Sequence, residues 1–349
     1  MISCAMSFPF AKGLVDETLL AAVRDSLSGL PQHESVAVAV SGGADSAMLA
    51  VHASLAAREA GRAVRLFHVH HGLQATADGW AEHVGALAQR LDVPLDVVRV
   101  SVDTQAGLGI EAAARNARYE ALAGLAARHG VQAILLAHHH YDQAETLLLR
   151  LLRGTGPRGM AGMARAMTRD GICYLRPWLG IRRPVILRQA QRWFEATGWQ
   201  VVADPSNLDT RYGRGAVRSL LAPVLDARWP GWRDSLARHG RQAAEANVIL
   251  DEVAEADFAG LDPDAAGLSF SLAAWRELAP AHQVLVLRHW FSRHGVAMPT
   301  ETRLAELVRQ LRQLHALGHD RQMLFAHDTV QVRCRRGRVM LEPRIRMTR

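Results

Sequence analysis

Short, wholly apolar runs alternate with helical patterns through the first two hundred residues, and few architectures accept that alternation. Strands are expected near Val36 to Val40, Val64 to Val69, Leu95 to Val100, Val131 to Ala137 and Cys173 to Leu175. Helices are expected over Ala47 to Glu59, Ala77 to Leu91, Glu111 to Arg128, Asp142 to Arg153 and Pro184 to Thr197. A strand with no polar face is covered on both sides, so the pattern predicts an α/β fold with a doubly wound parallel sheet. Ligands of such sheets settle at the carboxyl ends of the strands. At the first such end stand Ser41, Gly42, Gly43, Ala44, Asp45 and Ser46, between the apolar run and the helix. The glycines permit a tight turn and close approach, and the opening amides of the helix point at whatever sits there. With two serine hydroxyls added, this is a phosphate cradle. It is not a Walker A loop, which needs Gly-Lys-Ser/Thr, because Lys12 is the chain's only lysine.

Two further clusters fall at strand ends. His68-Val69-His70-His71-Gly72-Leu73 follows the second strand and His138-His139-His140 the fourth. Strand alternation splits the first set between two faces, and no cysteine or acid sits beside it, so polar walls around a nucleotide, drawn from His71 and His138, suit these residues better than zinc. Asp142 and Glu145 open the next helix three residues apart, on one face. Acids in a first turn can simply cap the helix. Opposite a phosphate cradle they can instead hold Mg²⁺ with Asp45, and the cradle tips the balance toward metal. Glu111, Arg115 and Arg118 share one side of another helix; Glu111 and Arg115 can pair in solvent, or Arg115 can neutralise charge at an exchanging phosphate.

The second half of the chain changes character. After a break over Asp204 to Arg214, residues 222–317 carry long helical patterns with Trp229, Trp232, Trp275 and Trp290, and residues 318–349 a hairpin pattern around Arg335-Arg336-Gly337. Three segments are therefore expected: a catalytic domain over 1–221, a helical domain over 222–317 and a short β extension over 318–349. The net charge of +7, almost all arginine on the basic side, suits a polyanionic partner, although genomic base composition produces the same bias. Cys4, Cys173 and Cys334 fit neither a disulfide framework nor a Cys-x-x-Cys site. With no signal-like start and no long apolar stretch, no membrane association and a cytoplasmic location are expected.

The hexapeptide Ser41 to Ser46 resembles the SGGxDS loop of the PP-loop ATP pyrophosphatases. Read with His68 to Leu73, Glu111 to Tyr119, Ala137 to Gly154, Arg176-Pro177-Trp178-Leu179 and Asp204 to Arg218, the chain resembles the tRNA(Ile)-lysidine synthetase family over most of residues 33–225. It departs from that pattern at His70 (Asn in the family), Gln74 (Arg), Tyr141 (an acid) and Gly215 (Asn). The resemblance implies ATP bound on Ser41 to Ser46, catalysis by Asp45, Arg115, Asp142 and Glu145, and Mg²⁺ near Asp45, Asp142 and Glu145. It also implies tRNA contacts by Arg153, Arg214 and Arg218. The partners implied are tRNA(Ile) with a CAU anticodon and L-lysine; a homodimer is compatible with the sequence, which does not decide it. The rivals are another PP-loop tRNA-modifying enzyme, a thiolase for instance, for which the cysteines are badly spaced, and a regulatory module that holds ATP without chemistry.

Overall fold

The computed structural model describes residues 14–70, 77–100, 110–202, 209–314 and 323–344. It divides into two compact units, Met1–Gln242 and Ala243–Arg349.

In the first unit, α1 (Glu17–Ser28), capped by the Asp16 carboxylate, precedes β1 (Val36–Ala39) and α2 (Ala44–Glu59). Then come β2 (Val64–His70), α3 (Ala77–Leu91), β3 (Leu95–Arg99), α4 (Ile110–His129), β4 (Ala133–Leu135) and α5 (His140–Leu152). The short α6 (Pro157–Met160), β5 (Ala166–Arg169), β6 (Ile172–Leu175) and α7 (Arg183–Thr197) follow. The strands form one sheet in the order β3-β2-β1-β4-β6-β5, parallel as expected except for β5. That edge strand was not foreseen. Its residues alternate between exposed and half-buried, and it exists because Asp170 (φ 52°) and Gly171 (φ 75°) make a two-residue hairpin that folds it back on β6.

Side chains alternate across the sheet and build a core on each face. Val36 and Val38 meet Leu19, Met48, Leu49, Trp178 and Trp193 on the face covered by α1, α2 and α7. Ala37, Phe67 and Ile134 meet Tyr119, Leu122 and Leu125 of α4 on the other. Each Val or Leu fully removed from water contributes about 1.5–3 kcal/mol. Helix α2 is buried almost all round, which fixes its first turn with little freedom. The sheet reverses its winding between β1 and β4, and the loops leaving these strands face one crevice.

A continuous helical run follows: α8 (Gly213–Ala216), a π-helical turn (Val217–Leu221) and α9 (Ala222–Arg228). The start of α10 (Trp232–Ala259) packs Trp232 against Ala144 of α5 and Ala222 of α9.

The second unit contains the rest of α10, then β7 (Ser269–Ser271), α11 (Leu272–Glu277), α12 (Pro280–Arg293), α13 (Glu301–Gln313), β8 (Met323–His327), β9 (Val330–Arg335) and β10 (Arg338–Pro343). The hairpin around Arg335 to Gly337 is present, turning through Arg336 (φ 51°) and Gly337 (φ 76°). Its strands lie in an antiparallel sheet, β7-β10-β9-β8, and share one core with the helices: Val332 and Val339 pack with Phe258, Phe270, Trp275, Trp290 and Leu307. No helix among the described residues is long and apolar enough to cross a membrane.

Candidate active site

The cradle is built as its residues require. Gly42 sits at φ 90°, where a Cβ would also come within 3.2 Å of Val202, so both the backbone and the packing want glycine. Gly43 begins α2 with no side chain to cap it, which leaves the first-turn amides for a ligand. The Ser46 hydroxyl accepts from the Ser41 amide (3.0 Å) and lies 3.1 Å from the Ser41 hydroxyl, closing the loop on itself. Ala44 and Asp45 stand in the first turn.

Across the crevice, the three histidines after β4 go three ways. His139 caps α5: its Nδ1 accepts from the Asp142 amide (3.3 Å), and the Asp142 carboxylate accepts from the His139 amide (3.1 Å). The same imidazole reaches Asp45 with Nε2 at 3.6 Å, which joins the two loops. His140 turns aside to Asp234, 3.2 Å away. His138 stays in the site with its Nδ1 buried and without a hydrogen-bond partner. His71 lies outside the described residues, as do Gly72 and Gln74.

Asp142 and Glu145 do share a face of α5, and a single guanidinium spans them. Arg218 donates from Nε and Nη2 to the two Glu145 oxygens, both at 2.8 Å, and from Nη2 to Asp142 at 3.1 Å. Asp45 in turn receives long hydrogen bonds from Arg183 (3.5 and 3.4 Å). All three carboxylates of the expected metal group are thus beside positive partners. Among the described residues no three His, Cys, Asp or Glu side chains converge as a ready ligand set for a metal. The donor chemistry still suits a hard cation, since the three are carboxylates, and Arg218 marks a place that positive charge occupies. Capping, held open as the alternative at Asp142, is realised there, and a charge pair with Arg218 is added to it.

On the other side of β4 the balance reverses. Arg115, on the exposed side of α4, donates to the Tyr119 hydroxyl (3.3 Å) and lies over its ring, 5.1 Å from the centroid, with Arg169 at 4.9 Å. Arg176, 2% exposed at the end of β6, donates to the Ala164 carbonyl and reaches the same hydroxyl at 3.5 Å, while its buried Nε has no partner. Arg214 donates to the Thr146 hydroxyl (3.2 Å), and Arg150 to the Gly159 and Gly162 carbonyls. Among the described residues, Arg115, Arg150, Arg176 and Arg214 have no carboxylate at ion-pair distance.

The titration of neighbouring residues follows these surroundings. Burial, reinforced by Arg176, Arg214 and Arg115 and opposed by Asp142, pushes the His138 imidazole down to about 3, so it is neutral. Burial also works against charge on His139, but Asp45 and Asp142 outweigh it and raise its pKa. Asp45 is held below the ordinary range despite burial, by His139 and Arg183. Burial and the neighbouring arginines lower Arg115 and Arg118 from the usual guanidinium value.

Asp45, Asp142, Glu145 and Arg218 are therefore brought together, with Arg214 one helical turn from Arg218. Arg153 is not: it ends α5 on an exposed surface, eleven residues or about 16 Å along the helix from Asp142. Sequence reasoning left three site residues without a role. His139 stood within a histidine run, Arg183 directly before Pro184, and Arg176 within Arg176-Pro177-Trp178-Leu179. Gly215, a departure from the family pattern, has a local cause: a Cβ there would lie 1.9 Å from the Asp209 carbonyl oxygen.

Comparison with known proteins gives a consistent result. A PP-loop domain family matches residues 15–225, and a TilS substrate binding domain family matches residues 270–340. A tRNA(Ile)-lysidine synthase of Bordetella pertussis is 61% identical over 312 residues, covering 89% of this chain and 97% of that protein. Its counterpart in Bordetella bronchiseptica is 58% identical over 341 residues, covering 97% and 99%. Among solved structures, a U34-tRNA thiolase from Methanococcus maripaludis with its 4Fe-4S cluster superposes with a TM-score of 0.55 at 14% identity, over 66% of this chain and 79% of that one. That likeness concerns the fold alone.

Proposed function

This chain belongs to the tRNA(Ile)-lysidine synthase family, and we propose that it carries out that family's reaction with the residues gathered between β1 and β4. It uses ATP to activate the wobble cytidine of an isoleucine tRNA with a CAU anticodon and replaces the C2 oxygen with L-lysine. The observation that carries the assignment of residues is the meeting of the Ser41 to Ser46 loop, by way of Asp45 and His139, with Asp142, which Arg218 ties to Glu145.

The β- and γ-phosphates of ATP lie on the loop amides and serine hydroxyls, with neutral His138 as a wall of the nucleotide site. The cytidine, unstacked so that its edge is reachable, attacks the α-phosphorus through its C2 oxygen. The bond from that phosphorus to pyrophosphate breaks. Free lysine then adds through its ε-amine at C2, loses a proton, and AMP departs with the former C2 oxygen. Activation is needed because a cytosine carbonyl is a poor electrophile. Asp45, Asp142 and Glu145 are the donors that would hold Mg²⁺, with Arg218 released from the acids; the ion would offset phosphate charge. Arg115 stands among the arginines rather than against the carboxylates, so its share in the reaction is the positive field it adds on that side.

Arg214 and, once released, Arg218 are assigned to the tRNA backbone, with Arg153 as an outer contact. The helical segment over 222–317 is assigned to holding tRNA. A homodimer is compatible with this scheme and not required by it, because every catalytic residue assigned belongs to the first unit. A reaction on tRNA fits a cytoplasmic location.

The test supplies the purified protein with ATP, L-lysine and the matching tRNA. Lysine-dependent release of AMP is expected, and its absence from folded protein would refute the reading. Asp142→Asn should lower kcat by about 10²–10³-fold, the scale of losing one group that stabilises transition-state charge, with its circular dichroism spectrum unchanged. Near-normal turnover would remove Asp142 from the catalytic group.

A further inference from the structure

Helix α7 ends at Gly198 (φ 69°), whose amide donates to the Phe194 carbonyl at 2.8 Å, and the chain continues through Trp199, Gln200, Val201 and Val202. The Thr197 hydroxyl accepts from the Trp199 amide at 3.2 Å, which fixes the exit from the helix. Helix α3 holds the segment from its side. The His83 ring stacks on the Trp199 indole with centroids 4.5 Å apart, and the indole Nε1 donates to the His83 carbonyl at 3.3 Å. The His83 Nε2 meets the Gln200 carbonyl, which can only accept, so that nitrogen carries the hydrogen. Trp199 is buried and packs with the core that surrounds α2.

This strap ends on the phosphate loop. The Val202 amide donates to the Gly42 carbonyl at 3.0 Å, and a Cβ at Gly42 would lie 3.2 Å from the Val202 side chain and 3.4 Å from Val84, the residue after His83. Gly42 and Gly43 allow the loop its tight course, but a peptide between two glycines also turns over readily, since neither carries a Cβ to oppose the rotation. A flip would present a carbonyl oxygen to the phosphates in place of a donor. In a planar trans peptide the carbonyl and the following N–H point in opposite directions. A donor that holds the Gly42 carbonyl therefore also fixes the Gly43 N–H, on the side away from the strap.

We infer that Val202 is a positioning residue for the nucleotide: through the Gly42 carbonyl it locks the Gly42–Gly43 peptide with its N–H turned toward the phosphates of ATP, and the His83–Trp199 stack holds Val202 in place. This rests on the reading that ATP sits on Ser41 to Ser46, and it names the part of the fold that keeps that loop in its binding form. The first residue of α7, Arg183, meets Asp45 in the same loop, so the segments at both ends of that helix bear on the cradle. The donor is already aimed when ATP arrives, and binding does not have to turn it.

The test measures ATP affinity by equilibrium binding to the full chain, anticodon stem-loop RNA affinity, and the KM values for ATP and L-lysine in the AMP-release assay. Val202→Pro removes the amide donor, whereas Val202→Ala keeps it. The proline variant should raise the ATP Kd and KM about tenfold, the loss of one charge-assisted hydrogen bond, and the alanine variant should raise them less. His83→Ala loosens the strap while residue 202 stays intact, and should raise the ATP Kd about threefold. His83→Gln, which returns a side-chain donor to the Gln200 carbonyl, should recover part of that loss; this pair serves if Val202→Pro does not fold. In each variant the KM for lysine and the RNA Kd should keep their wild-type values, a selectivity that a general loss of packing does not produce. Wild-type ATP affinity in Val202→Pro would overturn the inference. A parallel weakening of ATP, lysine and RNA would overturn it too, by reducing the strap to a support of the fold. ATP binding is read without turnover, so the strap can fail while lysine-dependent AMP release by the wild-type protein stands.

Discussion

His138 and His139 are neighbours in the chain and opposites in chemistry. One faces arginines without carboxylates and is pushed down to about 3; the other lies between Asp45 and Asp142 and is raised. The same contrast separates the two regions they belong to. On the carboxylate side each acid meets a positive partner and Arg218 meets two acids, so the charges balance within the fold until a ligand exchanges those partners. On the arginine side Arg169 pairs with Asp170, but among the described residues Arg115, Arg176 and Arg214 have no carboxylate at ion-pair distance. A compensated cluster supports the fold, and an uncompensated one costs stability that only a ligand recovers, a trade that active sites make and structural cores avoid.

The sharpest way to break this comparison is to remove one charge from each side and measure stability. Arg218→Gln leaves Glu145 and Asp142 facing each other with their shared cation gone, and is expected to cost about 3 kcal/mol by denaturant unfolding. Arg115→Gln should instead leave stability unchanged or raise it by about a few tenths of a kcal/mol, since it relieves like-charge repulsion on an exposed face. Equal losses in the two variants would erase the distinction. Between these lies Gly215→Ala, which drives a methyl into the Asp209 backbone and displaces the helix that carries both Arg214 and Arg218. A loss of about 1–3 kcal/mol is expected, with both activity and RNA affinity reduced.

The smallest effects sharpen the comparison through pH. His139, with its pKa raised, contributes stability that is complete below its unfolded value of 6.5 and is lost as pH rises through the folded value. His138 has the opposite sign: it costs nothing above 6.5, and its stability is lost as pH falls from there toward about 3, while the unfolded chain takes up a proton that the folded one refuses. Proton NMR of the imidazoles should show His139 titrating above the ordinary range and His138 silent through pH 5. In Arg115→Gln the His138 value should move up, because one of the charges that holds it down is gone.

The sheet was legible because its inner strands have no polar face to disguise them. Strand β5 was not, since Ala166 to Arg169 has the composition of a surface loop and only the Asp170-Gly171 turn betrays it. Strand β7, three residues long, is too short for any pattern. In the site, Asp45, Asp142 and Glu145 announce themselves by position within local motifs. Their partners do not: Arg183 meets Asp45 across 138 positions and Arg218 meets Glu145 across 73, pairings that only the folded chain creates. Arginine abounds in this chain, so nothing in its spacing distinguishes a pairing guanidinium from a solvated one. Each acid could be found from its own segment, whereas the state of its charge required a distant one.

The single imidazole of His139 has one nitrogen on the nucleotide loop and the other on the helix that carries the acids. When Nδ1 is bare it accepts the Asp142 amide; once protonated it can only donate, and the Asp142 carboxylate, 3.3 Å away, is then its partner. A proton on this ring therefore exchanges one tie at the head of α5 for another. By the reciprocity of linked equilibria, whatever draws Asp45 away must also change the readiness of Asp142 to let go of its own contacts, and by the same factor in reverse. The two halves of the crevice thus share a joint in one ring.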